Sequence, residues 1–191
     1  GSFVNPEEPA CKADLADPAR TMLGTEQEQW FDAALAESRA AWNVLTQGVM
    51  FVTIREKLND SPRIFTDSWA GYPPARERLL ASLARHKTAN PLVLTGDIHS
   101  FWVNEVANAA GRLFGVELVT SSIATTTNDK TQMLPLNPQV RFHEGLHSGY
   151  IRCDLDRDKL HADIVAIDDR LDPRSGRNVL ASFEVRAGDP H

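Results

Sequence analysis

Few cysteines, no long apolar run and no surplus of basic charge mark this sequence of 191 residues. Its two cysteines, Cys11 and Cys153, stand far apart without CxxC spacing. That excludes a zinc knuckle and leaves their pairing undecided, two unpaired structural thiols being the simpler expectation. No stretch approaches the roughly 20 apolar residues that cross a bilayer, so no membrane span is expected. Lys and Arg total 20 against 26 Asp and Glu, a formal net charge of -6. This excludes a nucleic-acid backbone binder, which needs clustered cations. A phosphate substrate is not excluded, because a metal can supply positive charge locally. The opening Gly1-Ser2-Phe3 has neither an initiator Met nor a basic-then-apolar leader, and reads as a scar on truncated or processed material. No internal repeat and no low-complexity block interrupts the chain. What is present, 42% hydrophobic and 24% charged residues, matches a globular protein with one buried core.

Residues 1–24 contain Pro6, Pro9 and Pro18 among several acids, without apolar periodicity, and read as an extended loop. Thr25 before Glu26-Gln27-Glu28 predicts an N-cap with acids in the first turn. Trp30, Phe31, Ala34 and Leu35 then carry a helix to about Ser38. Residues 42–45 suit a buried strand, 49–52 a strand or an irregular segment, and 55–66 a polar loop. Pro73-Pro74 open a second helix that buries Leu79, Leu80 and Leu83 and ends near His86. The uninterrupted apolar run Pro91-Leu92-Val93-Leu94-Thr95 predicts a central strand covered on both faces. Residues 113–120 read as another strand, and 121–138 as a Ser/Thr/Asn-rich stretch too long for a passive connector. Residues 149–154 and 160–167 alternate like a hairpin, and 181–185 form a last strand. Helices between strands, followed by late strands, predict an α/β layered domain over 25–191.

The chemistry concentrates at Gly96-Asp97-Ile98-His99-Ser100, where a buried strand delivers a turn. Gly96 is expected to permit the crowded backbone there. Residues i and i+2 of a tight turn project together, at the strand end where α/β proteins place ligands. Asp97 offers a hard anionic oxygen and His99 a neutral nitrogen, a pair suited to transition metals. A lone Gly-Asp-x-His also occurs by chance in unrelated loops, so the tetrapeptide gains weight only from its neighbours. Other candidates have plainer readings. His143 and His147 lie four apart around Glu144, but Gly145 and Gly149 argue for a loop with solvated histidines. His86 suits a helix C-terminus. The four tryptophans read as packing anchors, and Tyr72 as a turn residue. Ser100 lacks a Gly-x-Ser-x-Gly elbow. Thr125-Thr126-Thr127-Asn128 can donate to a phosphate, as many exposed loops can.

The neighbours form an ordered series: Arg20-Thr21-Met22-Leu23-Gly24 with Glu26-Gln27 and Trp30; Trp42-Asn43-Val44 and Gln47; Asp67-Ser68-Trp69-Ala70-Gly71-Tyr72-Pro73; Ala75-Arg76-Glu77-Arg78-Leu79; Asn90-Pro91; Gly96-Asp97-Ile98-His99-Ser100 with Trp102; Asn137-Pro138; Gly149-Tyr150-Ile151-Arg152-Cys153; and Leu180-Ala181-Ser182-Phe183. From about residue 11 to about 186 the chain resembles the C-terminal part of the PhoD-like alkaline phosphatase and phosphodiesterase family. The resemblance implies a portion of a calcineurin-like metallophosphoesterase sandwich, with helices packed on sheet. It implies hydrolysis of phosphate esters by metal-activated water, iron and calcium in the site, and an exported protein. It assigns Asp97 and His99 to the family's late metal-ligand pair. The earlier ligands, from an Asp-bearing first strand and a later Asp-His-Glu or Asn-His-Glu loop, have no counterpart here. Ala70 stands where the family often has an acid, and Gln139 where it often has His.

On that basis the isolated chain is expected to bind metal weakly and hydrolyse little, since a stable site needs three or four ligands. A missing N-terminal segment is the expected partner, and uncovered sheet surfaces are expected to favour a homo-oligomer. Two alternatives stay open at this point. One is a non-catalytic binding or interaction module on the same scaffold; the other is an unrelated α/β protein with a coincidental turn.

Overall fold

The computed structural model describes residues 2–189. Gly1, part of the terminal scar reading, lies outside them. A five-stranded mixed sheet forms the centre. Its strands, numbered here in chain order with the others, are β2 (Asn43–Thr46), β5 (Pro91–Thr95), β7 (Leu113–Val119), β6 (Phe101–Ala107) and β8 (Val140–Glu144), adjacent in that order. β2, β5 and β7 run parallel, and β6 is antiparallel to both β7 and β8.

Each face of this sheet has its own cover. On one side lie α2 (Thr25–Glu37) and α3 (Pro73–Arg85), whose Leu35, Leu79, Leu80 and Leu83 pack with Val93 and Val106. The opposite face carries Leu92, Phe101, Val103, Val116 and Leu118. These meet Leu160, Ala162, Ile164 and Val185 of a three-stranded antiparallel sheet, β9 (Gly149–Leu155), β10 (Lys159–Ile167) and β11 (Arg177–Arg186). The side-chain alternation of a strand makes this possible, since Leu92 and Val93 point to opposite cores. The result is the α/β layering expected from the sequence, with several corrections of detail.

Residues 1–24 are not extended throughout. They contain β1 (Phe3–Val4) and a short helix, α1 (Pro9–Leu15), which has proline in its first turn. Residues 55–66 are not a loop but the hairpin β3 (Arg55–Leu58) and β4 (Ser61–Phe65), with β1 paired to β4. Asn59 and Asp60 both take positive φ, 49° and 62°, the signature of a two-residue type I′ turn. Thr25 is not the cap of α2. Gly24, at φ 80°, holds that place, while Thr21 Oγ1 accepts from the Gly24 N–H.

The long motifs of the sequence prove to be splints between α3 and the segment before α2. Arg78 binds both oxygens of Glu28, at 2.9 and 2.8 Å, and donates to the carbonyls of Pro18 and Arg20. Arg20 donates to the Gly71 carbonyl and lies 4.9 Å over the Tyr72 ring. Trp69 and Trp102 are core residues and Trp42 packs against the core between the sheets, whereas Trp30 is 66% exposed. His86 caps α3 and reaches Asp32 of α2 at 2.8 Å. Cys11 and Cys153 are free thiols, and burial pushes the Cys153 thiol up. No helix among the described residues is long and apolar enough to cross a membrane.

Candidate functional site

Directly after β5 the chain makes the turn that carries Asp97 and His99. Gly96 is not the residue that bends. Its φ is not positive, and a Cβ there would meet Thr120 Cγ2 at an ordinary 3.5 Å. The left-handed conformations fall instead on Asp97, φ 73°, and His99, φ 59°. Such backbone costs an L-residue roughly 1–2 kcal/mol. It is concentrated at functional sites in proteins generally.

Between the two, Ile98 packs inward against a small core of Met50, Trp102 and Val119. That anchor turns both polar side chains outward, and both residues are exposed. Neither side chain has a hydrogen-bond or ion-pair partner among the described residues. They line one cleft of about 350 Å³, together with Met50, Val52, Ile54, Glu56, Asn128 and Lys130. The expectation that Asp97 and His99 leave a strand end toward one open cleft therefore matches the geometry. Glu56 is nearly buried and paired with Arg63 at 2.9 Å and Lys130 at 3.3 Å, so its charge is already answered.

The donor types fit a metal, one carboxylate oxygen and one imidazole. The donor number does not make a complete cage. Among the described residues no group of three or more His, Cys, Asp or Glu side chains could hold an ion. A groove of about 400 Å³ between α2 and α3 carries no chemistry, because its charged groups pair with one another, Arg78 with Glu28 and Asp32 with Arg85.

Beneath the turn sits a residue the sequence reading passed over. Glu117 of β7 is wholly buried. It accepts from the Phe51 N–H at 2.6 Å, the Val52 N–H at 3.0 Å, Asn104 Nδ2 at 3.0 Å and Thr95 Oγ1 at 3.2 Å. Burial pushes its carboxyl above the usual range, and these four donors oppose that. Through them Glu117 ties the irregular 49–54 segment, which supplies the cleft's apolar wall, to the strand end that carries the turn. A single acid within the apolar run Leu113-Phe114-Gly115-Val116-Glu117-Leu118-Val119 was the available signal.

The remaining candidates fall into place around this. His143 is not a solvated loop histidine; it lies in β8 with its side chain fully buried. His147 is the exposed one, bonded to Glu144 at 2.9 Å. The 121–138 stretch wraps past the turn, where the Asn128 N–H donates to the His99 carbonyl at 2.9 Å. It ends in a 3-10 helix, Thr131–Leu136. Asn137, buried, bonds both the N–H and the carbonyl of Arg55, and Gln139 donates to the Thr53 carbonyl at 3.1 Å. Ala70 lies in an apolar cluster with Leu15 and Ile64. Ser100 Oγ accepts from Trp102 Nε1 at 2.8 Å.

Comparison with known proteins gives one consistent answer. Residues 4–164 match the family model described as PhoD-like phosphatase. The chain is similar to alkaline phosphatase D of Bacillus subtilis (strain 168), 34% identical over 177 residues. That match covers 87% of this chain and 30% of the relative. A solved structure titled "Structure of PhoD" superposes with a TM-score of 0.84 at 32% identity, over 97% of this chain and 36% of that one. The chain thus spans about a third of the length of the relatives it matches.

Proposed function

Because this chain belongs to the PhoD-like phosphatase family, we propose that it forms the part of a phosphate-ester hydrolase that holds a metal through Asp97 and His99. The observation that carries this reading is the turn itself. Two side chains of ligand type stand exposed on left-handed backbone, line one cleft and have no side-chain partner among the described residues. Their oxygen and nitrogen suit a transition ion such as iron, while calcium, the other metal implied, prefers carboxylate oxygens.

When bound, the metal supplies Lewis acidity toward a phosphoryl oxygen and lowers the pKa of water. The chain's own residues fix where that happens. Ile98 locks the turn into the core, Glu117 holds the strand end beneath it, and Met50, Val52 and Ile54 make one wall of the cleft apolar. The helix, sheet and sheet layering supports the finer reading of a calcineurin-like sandwich. Among the described residues strand β2 has a neighbour on one side only, and Val44 on it is 41% exposed. In this reading that edge receives the additional catalytic-domain chain its relatives possess, which brings the other ligands, and self-association is the fallback when that chain is absent. The exported location implied by the family goes with the same reading.

Two ligands bind a metal weakly where three or four are usual. The isolated chain should therefore hydrolyse p-nitrophenyl phosphate and its bis-ester negligibly, with or without added iron and calcium. The protein extended to the length of its relatives should turn over. In that protein Asp97→Asn or His99→Ala should lower kcat/KM at least about 100-fold. Full activity in the isolated chain would overturn the ligand count, and undiminished activity in both variants would overturn the assignment of the pair.

A further inference from the structure

The side chains of Asp97 and His99 make no bonds among the described residues, so something else must hold the turn's backbone in left-handed form. Part of the answer is Ile98 below. The rest lies beside it, in the irregular strap of residues 127–130. Asn128 N–H grips the His99 carbonyl at 2.9 Å, and the strap in turn is gripped by the end of β8. His143 Nε2 accepts from the Lys130 N–H at 3.0 Å, while its Nδ1 lies 3.2 Å from the Phe101 carbonyl. Nε2 also lies 3.3 Å from Asp129 Oδ1, a second contact between His143 and the strap. Its ring stacks on Trp102 with centroids 4.0 Å apart. Trp102 Nε1 donates to Ser100 Oγ at 2.8 Å, and Ser100 Oγ donates to the Ile98 carbonyl at 3.4 Å. Gly145 closes the grip, since a Cβ there would lie 2.5 Å from Asp129 Cα and 2.7 Å from the Asn128 carbonyl oxygen.

We propose that His143 is a positioning residue for the 97–99 turn, setting the His99 carbonyl through the strap and the Ile98 carbonyl through Trp102 and Ser100. The role rests on the reading of that turn as a metal site. A histidine kept only to fill space would be replaceable by any ring of its size. His143 instead makes directional contacts from opposite nitrogens, Nε2 to the strap and Nδ1 to β6. These join the two segments that flank the turn. Its side chain is completely buried, so these contacts do not compete with water.

The test uses this chain with His143→Phe and His143→Gln. Phenylalanine keeps a ring on Trp102 and loses the contacts of both nitrogens; glutamine restores an acceptor for the Lys130 N–H. Amide hydrogen exchange is read at Asn128, whose bond to His99 neither substitution touches directly. Exchange there should quicken about tenfold or more in the Phe variant and return to within about threefold of the parent in the Gln variant, with Ile164 of β10 unchanged in both. Added Mn2+ should broaden the Ile98 and His99 amides in the parent and the Gln variant, and less in the Phe variant. Unchanged Asn128 exchange in His143→Phe overturns the proposal. So does equal loss in both variants, or a loss that spreads to Ile164, since each would make His143 ordinary core support. Sharp Ile98 and His99 amides in the parent with Mn2+ would sink the metal reading alone, leaving the exchange result to decide the role of His143.

Discussion

Glu117 and Asp97 are carboxylates on either side of one strand end, and the fold treats them in opposite ways. Below Gly96, Glu117 is wholly buried, takes four donors and has its carboxyl pushed up by burial. Above Gly96, Asp97 is exposed, takes no partner among the described residues and sits on strained backbone beside His99. Each arrangement would be costly in the other place. An unpartnered acid in the core loses its hydration without return, and a fully bonded acid at the surface has no lone pair left for a ligand. The contrast separates scaffold from candidate site more sharply than residue type does, and it can be broken by substitution on either side.

The largest effect is expected below the turn. Glu117→Leu leaves the N–H groups of Phe51 and Val52, the Thr95 hydroxyl and the Asn104 amide without their acceptor. Each orphaned buried donor costs about 1–3 kcal/mol, partly relieved by relaxation, so a loss of about 3–5 kcal/mol is expected in urea unfolding. A loss under about 1 kcal/mol would mean that the network contributes nothing and that Glu117 is not the anchor of the 49–54 segment.

A smaller effect, with a sign of its own, concerns pH. The folded Glu117 carboxyl titrates above its unfolded value because of burial. The folded state therefore holds a proton that the unfolded chain releases first. Stability from this group is complete below the unfolded pKa and declines as pH rises through the folded one. Asp163 on the other sheet runs the opposite way. The Ser182 hydroxyl, at 2.6 Å, and then the Arg152 guanidinium hold its carboxyl below the usual range. Its contribution is present above the unfolded value and is lost as pH falls through the folded one. Urea midpoints of the parent and Glu117→Gln should accordingly converge as pH rises above the ordinary carboxylate range. Those of the parent and Asp163→Asn should converge as pH falls below it. A parent-to-Gln gap that widens with rising pH would reverse the assignment for Glu117.

Which parts of this were legible in the sequence follows the same division between local and non-local causes. The run from Pro91 to Thr95, the proline-led α3 and the 149–167 hairpin were readable because periodicity and punctuation act over a few residues. The turn after β5 was readable because Gly96, Asp97 and His99 follow the apolar run directly, whereas their weight as candidate ligands came from motifs spread from Arg20 to Phe183. The β3–β4 hairpin was not readable, because polar strands on a small exterior sheet hide their alternation, and Asn59-Asp60 is a weaker turn signal than Asn-Gly. β8 was missed for a different reason. Its Phe142 and His143 are buried by Phe183, Trp102 and the strap, partners up to about forty residues away in the chain, so flanking glycines dominated the reading. Glu117 escaped because its four donors come from three separate segments. Only the fold brings them together.

The smallest effect is expected above the turn, and it has the opposite direction. His99 holds φ at 59° with an exposed side chain that makes no bond among the described residues. Replacing it by glycine removes the clash between Cβ and the following backbone, a relief of roughly 1 kcal/mol or somewhat more. Glycine gives part of that back, about 0.4–1 kcal/mol, by widening the unfolded ensemble. The net expectation for His99→Gly is a native state unchanged or more stable by up to about 1 kcal/mol, at most a few degrees in Tm for a chain of this size. Thermal unfolding without metal is the measurement, because the histidine's contribution as a ligand is then absent. An increase or no change means the side chain is kept at the expense of stability for what it binds, which is the usual mark of a functional position. A fall of more than about 1 kcal/mol would show that His99 holds the fold through contacts of its own, and the contrast with Glu117 would collapse.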